Sequence, residues 1–420
     1  MNMTRPLKLM TDPLRTTDKD KEYQTLRLGF VGELGDTLAE FEGGCIGVFG
    51  GIPGELARVR IYRYRRRKQD MVSGVVSKII EPSRYRVGPP CPNFGPCSGC
   101  QWQHIEYSHQ LNLKRQILLD RFSKYKSLRK VNILNTHPSP TQFQYRNHAR
   151  FTVRFGGQMG FSNRITRRFV RIDECMIMDR NINNVLDELQ DKVSETTNLS
   201  VRVGINTKDR LIQPTLDAPN IPFQTGQKWY IEKVKGRKFR IASPSFFQVN
   251  TLQAEWMIDL VGDYLSLNRE DTLVDAYAGV GTFASILASR AGKVIAIEES
   301  SSAVDDGEAV SVDVNNLEFI VGRTENVLNS LRISVDALIL DPPRVGCHPE
   351  ALNAVIKIRP SRLVYVSCDP SSLARDLDIL AKGGYEVIEI QPVDMFPQTY
   401  HIECVANLRY AGEYNRSMSS

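Results

Sequence analysis

The sequence predicts a multidomain protein with two β-rich domains followed by a C-terminal α/β domain built on a parallel sheet. Three observations support this fold class. Short strand-like runs separated by glycine-rich turns fill residues 26–82, apolar and basic side chains alternate over residues 143–178, and strands alternate with helices from residue 236. The length of 420 residues also suits about two to four domains.

The first predicted domain is a small β-barrel over residues 23–83, preceded by a flexible polar tail over residues 1–22. Four β-like runs follow one another there, "LRLGFVGEL", "CIGVFG", "LARVRIYRYRRR" and "MVSGVVSKII". The third run interleaves tyrosines with basic residues that include Arg65 and Arg67. This pattern is typical of a surface that follows phosphates and stacks bases, and a charged edge strand that resists aggregation is the plain alternative.

The second predicted domain, residues 84–235, opens with three cysteines in ten positions, "CPNFGPCSGC". Eight cysteines in a long chain fit metal binding or thiol chemistry better than a disulfide framework. Three thiols leave a tetrahedral site incomplete, so a fourth ligand must come from elsewhere, and four thiolates suit both zinc and iron. An amphipathic helix over residues 105–125, a candidate for packing on the C-terminal domain, precedes a hairpin-rich sheet.

The third predicted domain, residues 236–420, carries polar or reactive side chains at the ends of several strands. "DAYAGVGTF" places Gly279 and Gly281 after one strand, and Glu298 ends the next. Because ligands of open parallel sheets bind beyond the carboxyl ends of the strands, "LDPPR" and "VYVSCDP" belong to the same candidate site. The glycine turn alone is compatible with NAD, whereas the rigid "DPPR" turn beside it favours S-adenosylmethionine.

Cys368, in "VYVSCDP", helps to identify the atom that such a site could methylate. An exocyclic amine attacks a methyl group directly, whereas C5 of uracil becomes nucleophilic only after something adds to C6. A thiolate is suited to that addition and leaves easily afterwards. The C5 proton must then be removed, and Glu403 in "YHIECVANL" is the candidate base. A buried packing cysteine is the alternative for Cys368.

Eight motifs occur in a recognisable order: "IPGE", "CPNFGPCSGCQWQHIEYSHQLNLKRQ", "YRNHARF", "SFFQVN", "DAYAGVGTF", "DPPR", "VSCDPSSLARDL" and "HIECVA". This order resembles the RNA uracil-C5 methyltransferases, above all the iron-sulfur group that methylates 23S ribosomal RNA, with archaeal transfer RNA counterparts. The resemblance covers nearly the whole chain from about residue 25. It implies an N-terminal TRAM domain, which is a small OB-like barrel, a central domain with a 4Fe-4S cluster, and a Rossmann-like methyltransferase domain.

By motif position, the resemblance implies that Cys368 is the nucleophile and Glu403 the proton acceptor. The predicted cofactor contacts, to which the glycine turn contributes Gly279, are Gln248, Tyr277, Gly279, Glu298 and Asp341. The predicted RNA contacts, besides the two barrel arginines, are Arg146, Arg150 and Phe247. The other cysteines lie in a barrel strand or near the active site, which leaves Cys175 as the fourth ligand, and the resemblance selects the same residue and iron over zinc. The predicted cluster ligands are Cys91, Cys97, Cys100 and Cys175.

These assignments predict S-adenosylmethionine-dependent methylation of a uridine at C5 in structured RNA, with 23S rRNA favoured and tRNA as the alternative. A non-catalytic RNA-binding protein, an amino-group methyltransferase and an NAD enzyme on the same fold are the competing hypotheses. A radical S-adenosylmethionine enzyme is disfavoured because its cysteines follow a Cys-x3-Cys-x2-Cys spacing, whereas this chain has Cys-x5-Cys-x2-Cys. No apolar run approaches the roughly 18 residues of a membrane span, so we expect a cytoplasmic monomer without a membrane partner.

Overall fold

The computed structural model of the chain describes residues 22–66, 69–163, 167–217 and 221–412. The predicted RNA-binding residue Arg67 and residues 1–21 of the predicted tail lie outside these ranges. Within them, the strands form two five-stranded sheets, a two-stranded hairpin and an eight-stranded sheet. No helix in the described part of the chain has the length and apolar character to cross a bilayer.

The first sheet has five strands in the order β1-β4-β5-β3-β2. Their bounds are Tyr23–Arg27 for β1, Thr37–Phe41 for β2, Gly44–Phe49 for β3, Leu56–Arg66 for β4 and Gln69–Glu81 for β5. The chain just after β1 also pairs with β2, because Gly29 donates to the Leu38 carbonyl and Leu38 donates to the Phe30 carbonyl. The two edges of the sheet are joined in this way, and apolar side chains such as Leu28 and Val48 fill the interior.

Helix α1 (Tyr107–Phe122) and the short strand β6 (Asn132–Ile133) follow the cysteine-rich segment. The apolar face of α1 buries Leu118 and Phe122 in a core shared with the C-terminal domain. Strand β6 joins the edge of the eight-stranded sheet. Both elements therefore pack on the C-terminal domain, although they precede the central sheet in the sequence.

The central sheet has five strands in the order β11-β10-β7-β8-β9. Its elements are β7 His148–Arg154, β8 Gln158–Ser162, β9 Phe169–Arg171, α2 Arg180–Leu189, β10 Asn198–Val203 and β11 Arg210–Gln213. Alternate residues of a strand face opposite sides of the sheet. Phe151 and Val201 pack with the apolar side chains of α2, and Arg150 and Arg202 belong to the opposite, polar face.

Strands β12 (Trp229–Val234) and β13 (Arg237–Ala242) form a hairpin between the central and C-terminal domains. The predicted domain boundary between residues 235 and 236 falls in the turn of this hairpin. Both turn residues have positive φ, 49° for Lys235 and 82° for Gly236. A Lys-Gly pair followed by a change of composition resembles a linker in sequence, whereas in the structure β12 and β13 pair along their whole length.

The C-terminal sheet has eight strands in the order β16-β15-β14-β17-β18-β20-β19-β6. Its elements are α3 Thr251–Leu265, β14 Thr272–Ala276, α4 Thr282–Leu287, β15 Lys293–Glu298, α5 Ser301–Val310, β16 Leu317–Val321, α6 Thr324–Ser330, β17 Ala337–Leu340, α7 Pro349–Ile358, β18 Arg362–Ser367, α8 Pro370–Lys382, β19 Tyr385–Val393 and β20 Glu403–Tyr410. Strands β14 to β18 run parallel, and β20 runs antiparallel between β18 and β19. Strand β20 therefore begins at the sheet edge where β18 ends.

Candidate active site

Three strand termini bring predicted catalytic and cofactor residues to one edge of the C-terminal sheet. Asp341 follows β17, and Cys368 follows β18, both at the carboxyl ends of parallel strands. Glu403 is the first residue of the antiparallel strand β20, whose register sets Cys404 opposite Ser367. The strand pairing therefore places the predicted base beside the predicted nucleophile.

Burial controls the electrostatics at this edge. It raises the pKa of the Cys368 thiol to about 11, and the charge of Glu403 acts in the same direction. Burial also raises the pKa of Glu403 well above its usual range, and it raises that of Asp341 to about 7. All three groups hold a proton more tightly than they would in water, so a proton must leave the thiol before it can attack a ring.

Arg344, on the "DPPR" turn, is a cation that acts on both Cys368 and Glu403. Its guanidinium hydrogen-bonds to the Cys368 thiol, and its charge lowers the pKa of the thiol and of the Glu403 carboxyl. Its Nη2 lies 3.4 Å from Nδ1 of His401. Sequence analysis assigned Arg344 no role; its position on the same rigid turn as Asp341 is the signal that could have found it.

The glycine turn after β14 lies beside the Glu298 carboxylate. Tyr277, Gly279 and Gly281 all have positive φ, at 64°, 58° and 73°. A Cβ at Gly281 would lie 2.6 Å from the ring of Phe319, whereas a Cβ at Gly279 would meet open space. The Gly279 N–H donates to the Glu298 carboxylate at 2.9 Å, which fixes this carboxylate at the turn. Three of the predicted cofactor residues therefore lie together.

Asp275, inside β14, is a polar group of this region that sequence analysis missed. It is fully buried, and the Ala284 N–H donates to its Oδ2 at 2.9 Å. Burial raises the pKa of its carboxyl to about 8, and the charges of Asp341 and Glu298 add to the effect. An acid within an otherwise apolar strand is the sequence signal that could have found it, since buried carboxylates are rare.

The segment between β13 and α3 carries Phe247 and Gln248. Phe247 is 8% exposed and packs in the core, 6.0 Å from Phe239 between ring centroids, and this burial does not fit its predicted RNA contact. Its neighbour Phe246 is 70% exposed. The sequence "SFFQVN" does not reveal which of the two adjacent rings points outward. Gln248 is half-buried, and the Asn147 amide donates to its carbonyl at 2.9 Å.

The predicted cluster ligands line one cavity of about 300 Å³. Four cysteines contribute to its wall: Cys91, Cys97, Cys100 and Cys175. Burial raises the pKa of Cys97 to about 12, and the charges of two other cysteines of the set raise it further. His401 lines the same cavity, which therefore borders the active site. Among the residues that the structure describes, no group of three or more His, Cys, Asp or Glu side chains is arranged to hold a metal ion.

The predicted RNA-binding arginines lie in two places. Arg146 lines the cysteine cavity and donates from Nε to the His148 carbonyl at 3.0 Å, and Arg150 is exposed on β7. Arg65 lies in β4 of the first sheet, where the guanidinium of Arg60 also lies over a tyrosine ring. The structure does not gather these arginines into one site.

Comparisons with known proteins point to one type of enzyme. Residues 323–410, which include Asp341, Cys368 and Glu403, match the family described as tRNA (Uracil-5-)-methyltransferase. A protein of Thermosynechococcus vestitus named as an uncharacterized RNA methyltransferase is 31% identical over 91% of this chain and 97% of its own length. A protein of Clostridium tetani with the same description is 31% identical over 93% and 98%.

A solved structure extends the similarity to the fold. The Pyrococcus abyssi tRNA (uracil-54, C5)-methyltransferase, in complex with S-adenosyl-L-homocysteine, is 26% identical and superposes with a TM-score of 0.71. The match covers 91% of this chain and 99% of the archaeal one. It therefore includes the two N-terminal sheets as well as the C-terminal domain.

Proposed function

This chain belongs to the RNA (uracil-5-)-methyltransferase family, and from that premise we propose that it methylates C5 of a uridine in structured RNA, with Cys368 as nucleophile and Glu403 as base. The observation that carries the proposal is the register of β18 and β20, which sets a thiol and a carboxyl side by side at the ligand-binding edge of the sheet. A non-catalytic RNA-binding protein would not need this pair.

The proposed reaction begins at the thiol. Cys368 gives its proton to solvent water, and its sulfur adds to C6 of the uracil, so that the electron pair of the C5–C6 double bond becomes available at C5. S-adenosylmethionine, when bound, supplies the electrophilic methyl group that C5 takes. The ionised form of Glu403, which its raised pKa makes a stronger base, then removes the C5 proton, the double bond re-forms, and the thiolate leaves. The positive charge of Arg344 favours the thiolate at the start and at the end.

The residues around the glycine turn fit S-adenosylmethionine. Glu298 is held by the Gly279 N–H, and a carboxylate has further lone pairs that can accept from two ribose hydroxyls. The open space at Gly279 lets a ligand approach the backbone. Asp341 and Tyr277 are proposed to contact the charged end of the molecule, and Gln248 is proposed to complete the site.

A covalent trap tests the nucleophile. RNA substituted with 5-fluorouridine has no C5 proton to lose, so the adduct of the protein with the ring cannot resolve. With S-adenosylmethionine, we expect a denaturation-resistant adduct from the wild type and from Cys404→Ser, the matched control at the next cysteine along the edge. We expect none from Cys368→Ser. An adduct that persists in Cys368→Ser would sink the mechanism.

Ribosomal RNA is the proposed substrate, because the motif order resembles the iron-sulfur group that methylates 23S ribosomal RNA. Transfer RNA is the second candidate. The likeness to the archaeal tRNA enzyme over 91% of this chain favours the second. Labelled S-adenosylmethionine, offered with ribosomal and transfer RNA from a strain that lacks this protein, separates the two. Label in ribosomal RNA alone supports the first candidate, and label in transfer RNA alone replaces it with the second.

A 4Fe-4S cluster is proposed for the cysteine cavity. Its support is that four thiols, those of Cys91, Cys97, Cys100 and Cys175, line one cavity of about 300 Å³. Four thiolates suit either a cluster or one zinc ion, and the resemblance to the iron-sulfur methyltransferases favours the cluster. No step of the proposed reaction transfers an electron, so the cluster would hold the central domain together. A brown absorption in anaerobically purified protein, lost in Cys175→Ala, is expected, and a colourless zinc protein would refute the assignment.

The first sheet is proposed to be a TRAM domain that binds RNA. Its support is a five-stranded sheet with joined edges and a basic strand, β4, whose arginines lie over aromatic rings at Tyr23, Phe41 and Tyr62. Basic side chains interleaved with aromatic rings suit a single-stranded polyanion.

The exposed ring of Phe246 is proposed to stack on a base beside the active site.

A further inference from the structure

The polar face of the central sheet carries a charged group that none of the sites above uses. Arg202 of β10 lies opposite His148 of β7, and Ser200 lies opposite Arg150. Residues that face each other across two strands, or that lie two apart along one strand, share a face of the sheet. His148, Arg150 and Arg202 therefore lie together, with Arg150 exposed and Arg202 only 8% exposed.

Half of the Arg202 guanidinium is already bound. Its Nη1 donates to the Ser245 carbonyl at 2.7 Å, which fixes the orientation of the group. Its Nε is buried and has no hydrogen-bond partner among the described residues. The edge made by Nε and Nη2 is the one that binds two oxygens of a phosphate or carboxylate in parallel bonds. A buried donor without a partner is unfavourable, so this edge gains from an added acceptor.

The surroundings of Arg202 are positively charged. Burial lowers the pKa of His148 to about 3, and the charges of Arg202, Arg146 and Arg150 act in the same direction. Burial and the charge of Arg150 lower the pKa of Arg202 itself. In the part of the chain that the structure describes, no carboxylate forms an ion pair with Arg202. No described carboxylate therefore supplies a counter-charge to the Arg202 guanidinium.

Two carboxylates on neighbouring elements are engaged elsewhere. Glu232 accepts the backbone N–H groups of Ile205 and Asn206 at 2.8 and 3.1 Å. Asp306 forms an ion pair with Arg240 at 3.0 Å and accepts the Ser245 hydroxyl at 3.1 Å. Neither carboxylate forms an ion pair with Arg202 in the part of the chain that the structure describes, so an external anion is the partner that we consider.

The position of Arg202 indicates which anion. The carbonyl that it holds belongs to Ser245, and the next residue along the chain is the exposed Phe246. A polynucleotide offers both a phosphate for the guanidinium and a base for the ring, one nucleotide length apart. We propose that Arg202, with Arg150 beside it, binds one phosphodiester of the RNA strand next to the target uridine. This inference rests on the proposed function.

Salt dependence of RNA binding tests the inference. The probe is a fluorescein-labelled oligouridylate of about 12 nucleotides, and binding is measured by anisotropy at several KCl concentrations without S-adenosylmethionine. Each phosphate contact to a single strand contributes about 0.7 to the slope of log Kd against log salt. We expect Arg202→Gln to lower this slope by about 0.7, and to weaken binding about 5-fold at 0.1 M KCl.

The controls separate a phosphate contact from a structural role. Arg332→Gln removes an equal charge from an exposed arginine between α6 and β17, and it should leave the slope unchanged. Arg202→Lys keeps the charge and should keep most of the slope. An Arg202→Gln protein whose affinity falls while its slope stays at the wild-type value would overturn the inference, because lost packing weakens binding equally at all salt concentrations.

A second measurement needs no variant of Arg202, in case its replacement impairs folding. An oligouridylate that contains 4-thiouridine is photocrosslinked to the wild-type protein, and the peptide that contains Phe246 should carry the adduct. An adduct confined to other peptides would overturn the inference. Failure of methyl transfer with an intact salt effect would instead count against the proposed function, so the two failures can be told apart.

Discussion

Replacing Arg344 with glutamine should slow the reactions of the Cys368 thiol. The guanidinium hydrogen-bonds to this thiol, and its charge lowers a pKa that burial has raised to about 11. An opposite charge within a few ångströms lowers a pKa by about 1 to 3. Because the arginine is exposed, solvent screens its charge, and the smaller pKa change of about 1 applies. Loss of the charge then raises the thiol pKa by about one, so the thiolate fraction at pH 8 falls about tenfold.

Alkylation measures this thiolate fraction without RNA or cofactor. The rate of iodoacetamide modification at Cys368 is followed by mass spectrometry of its peptide between pH 7 and 10. Arg344→Gln should react about tenfold more slowly at pH 8, and its curve of alkylation rate against pH should be shifted to higher pH. Arg344→Lys keeps the charge and should stay within about threefold of the wild type. Equal rates in the wild type and Arg344→Gln, with unchanged melting temperatures, would refute the role of the arginine.

Three further predictions concern other parts of the molecule. Lys114 and Asp394 form a fully buried ion pair at 2.5 Å, so Lys114→Met should lower the free energy of unfolding by about 3–5 kcal/mol in urea titrations, and adding Asp394→Asn should recover much of the loss. Phe246→Ala should weaken RNA binding by about 1–3 kcal/mol at an unchanged melting temperature; Phe247→Ala should instead lower the melting temperature, since its ring is in the core, and the opposite pattern would contradict the assignment. S-adenosylmethionine should release up to about half a proton from Asp341 at pH 7, because the carboxyl has a pKa raised to about 7 and a nearby sulfonium lowers it. Calorimetry in buffers of different ionisation enthalpy measures this release, and equal release with S-adenosylhomocysteine, which lacks the sulfonium, would contradict it.

Residue types and local order were enough to predict the α/β domain and the ends of its strands. Glycine turns, strand-end acids and a cysteine after an apolar run all act over a few residues, and the sequence contains them directly. The pairing of β20 between β18 and β19 is not local, and neither is its antiparallel direction. Only that pairing brings Glu403 to Cys368, so their juxtaposition could be anticipated from resemblance but not from spacing.

Side-chain direction was equally hard to predict. Phe246 and Phe247 are adjacent and chemically identical, and the pairing and packing of the surrounding segment decide which one is buried. Arg202 showed no signal because a lone arginine in a strand pattern, "LSVRVGIN", resembles a solvated position. Its burial becomes visible only when Ser245, more than 40 residues later, supplies the carbonyl that fixes it.

The cysteine-rich segment is also hydrogen-bonded to the loop that precedes the proposed base, Glu403. The backbone N–H groups of Gln101 and Trp102, which follow the last cysteine of "CPNFGPCSGC", both donate to the Gln398 carbonyl, at 3.1 and 3.0 Å. The Gln110 amide of α1 donates to the Gln398 side chain at 3.0 Å. Gln398 lies in the loop between β19 and β20 that leads to Glu403, so the segment that carries three thiols anchors the loop before the proposed base. A group that held these cysteines in place would therefore also restrict the loop that enters β20, which gives the proposed cluster a structural reason to lie beside the candidate active site.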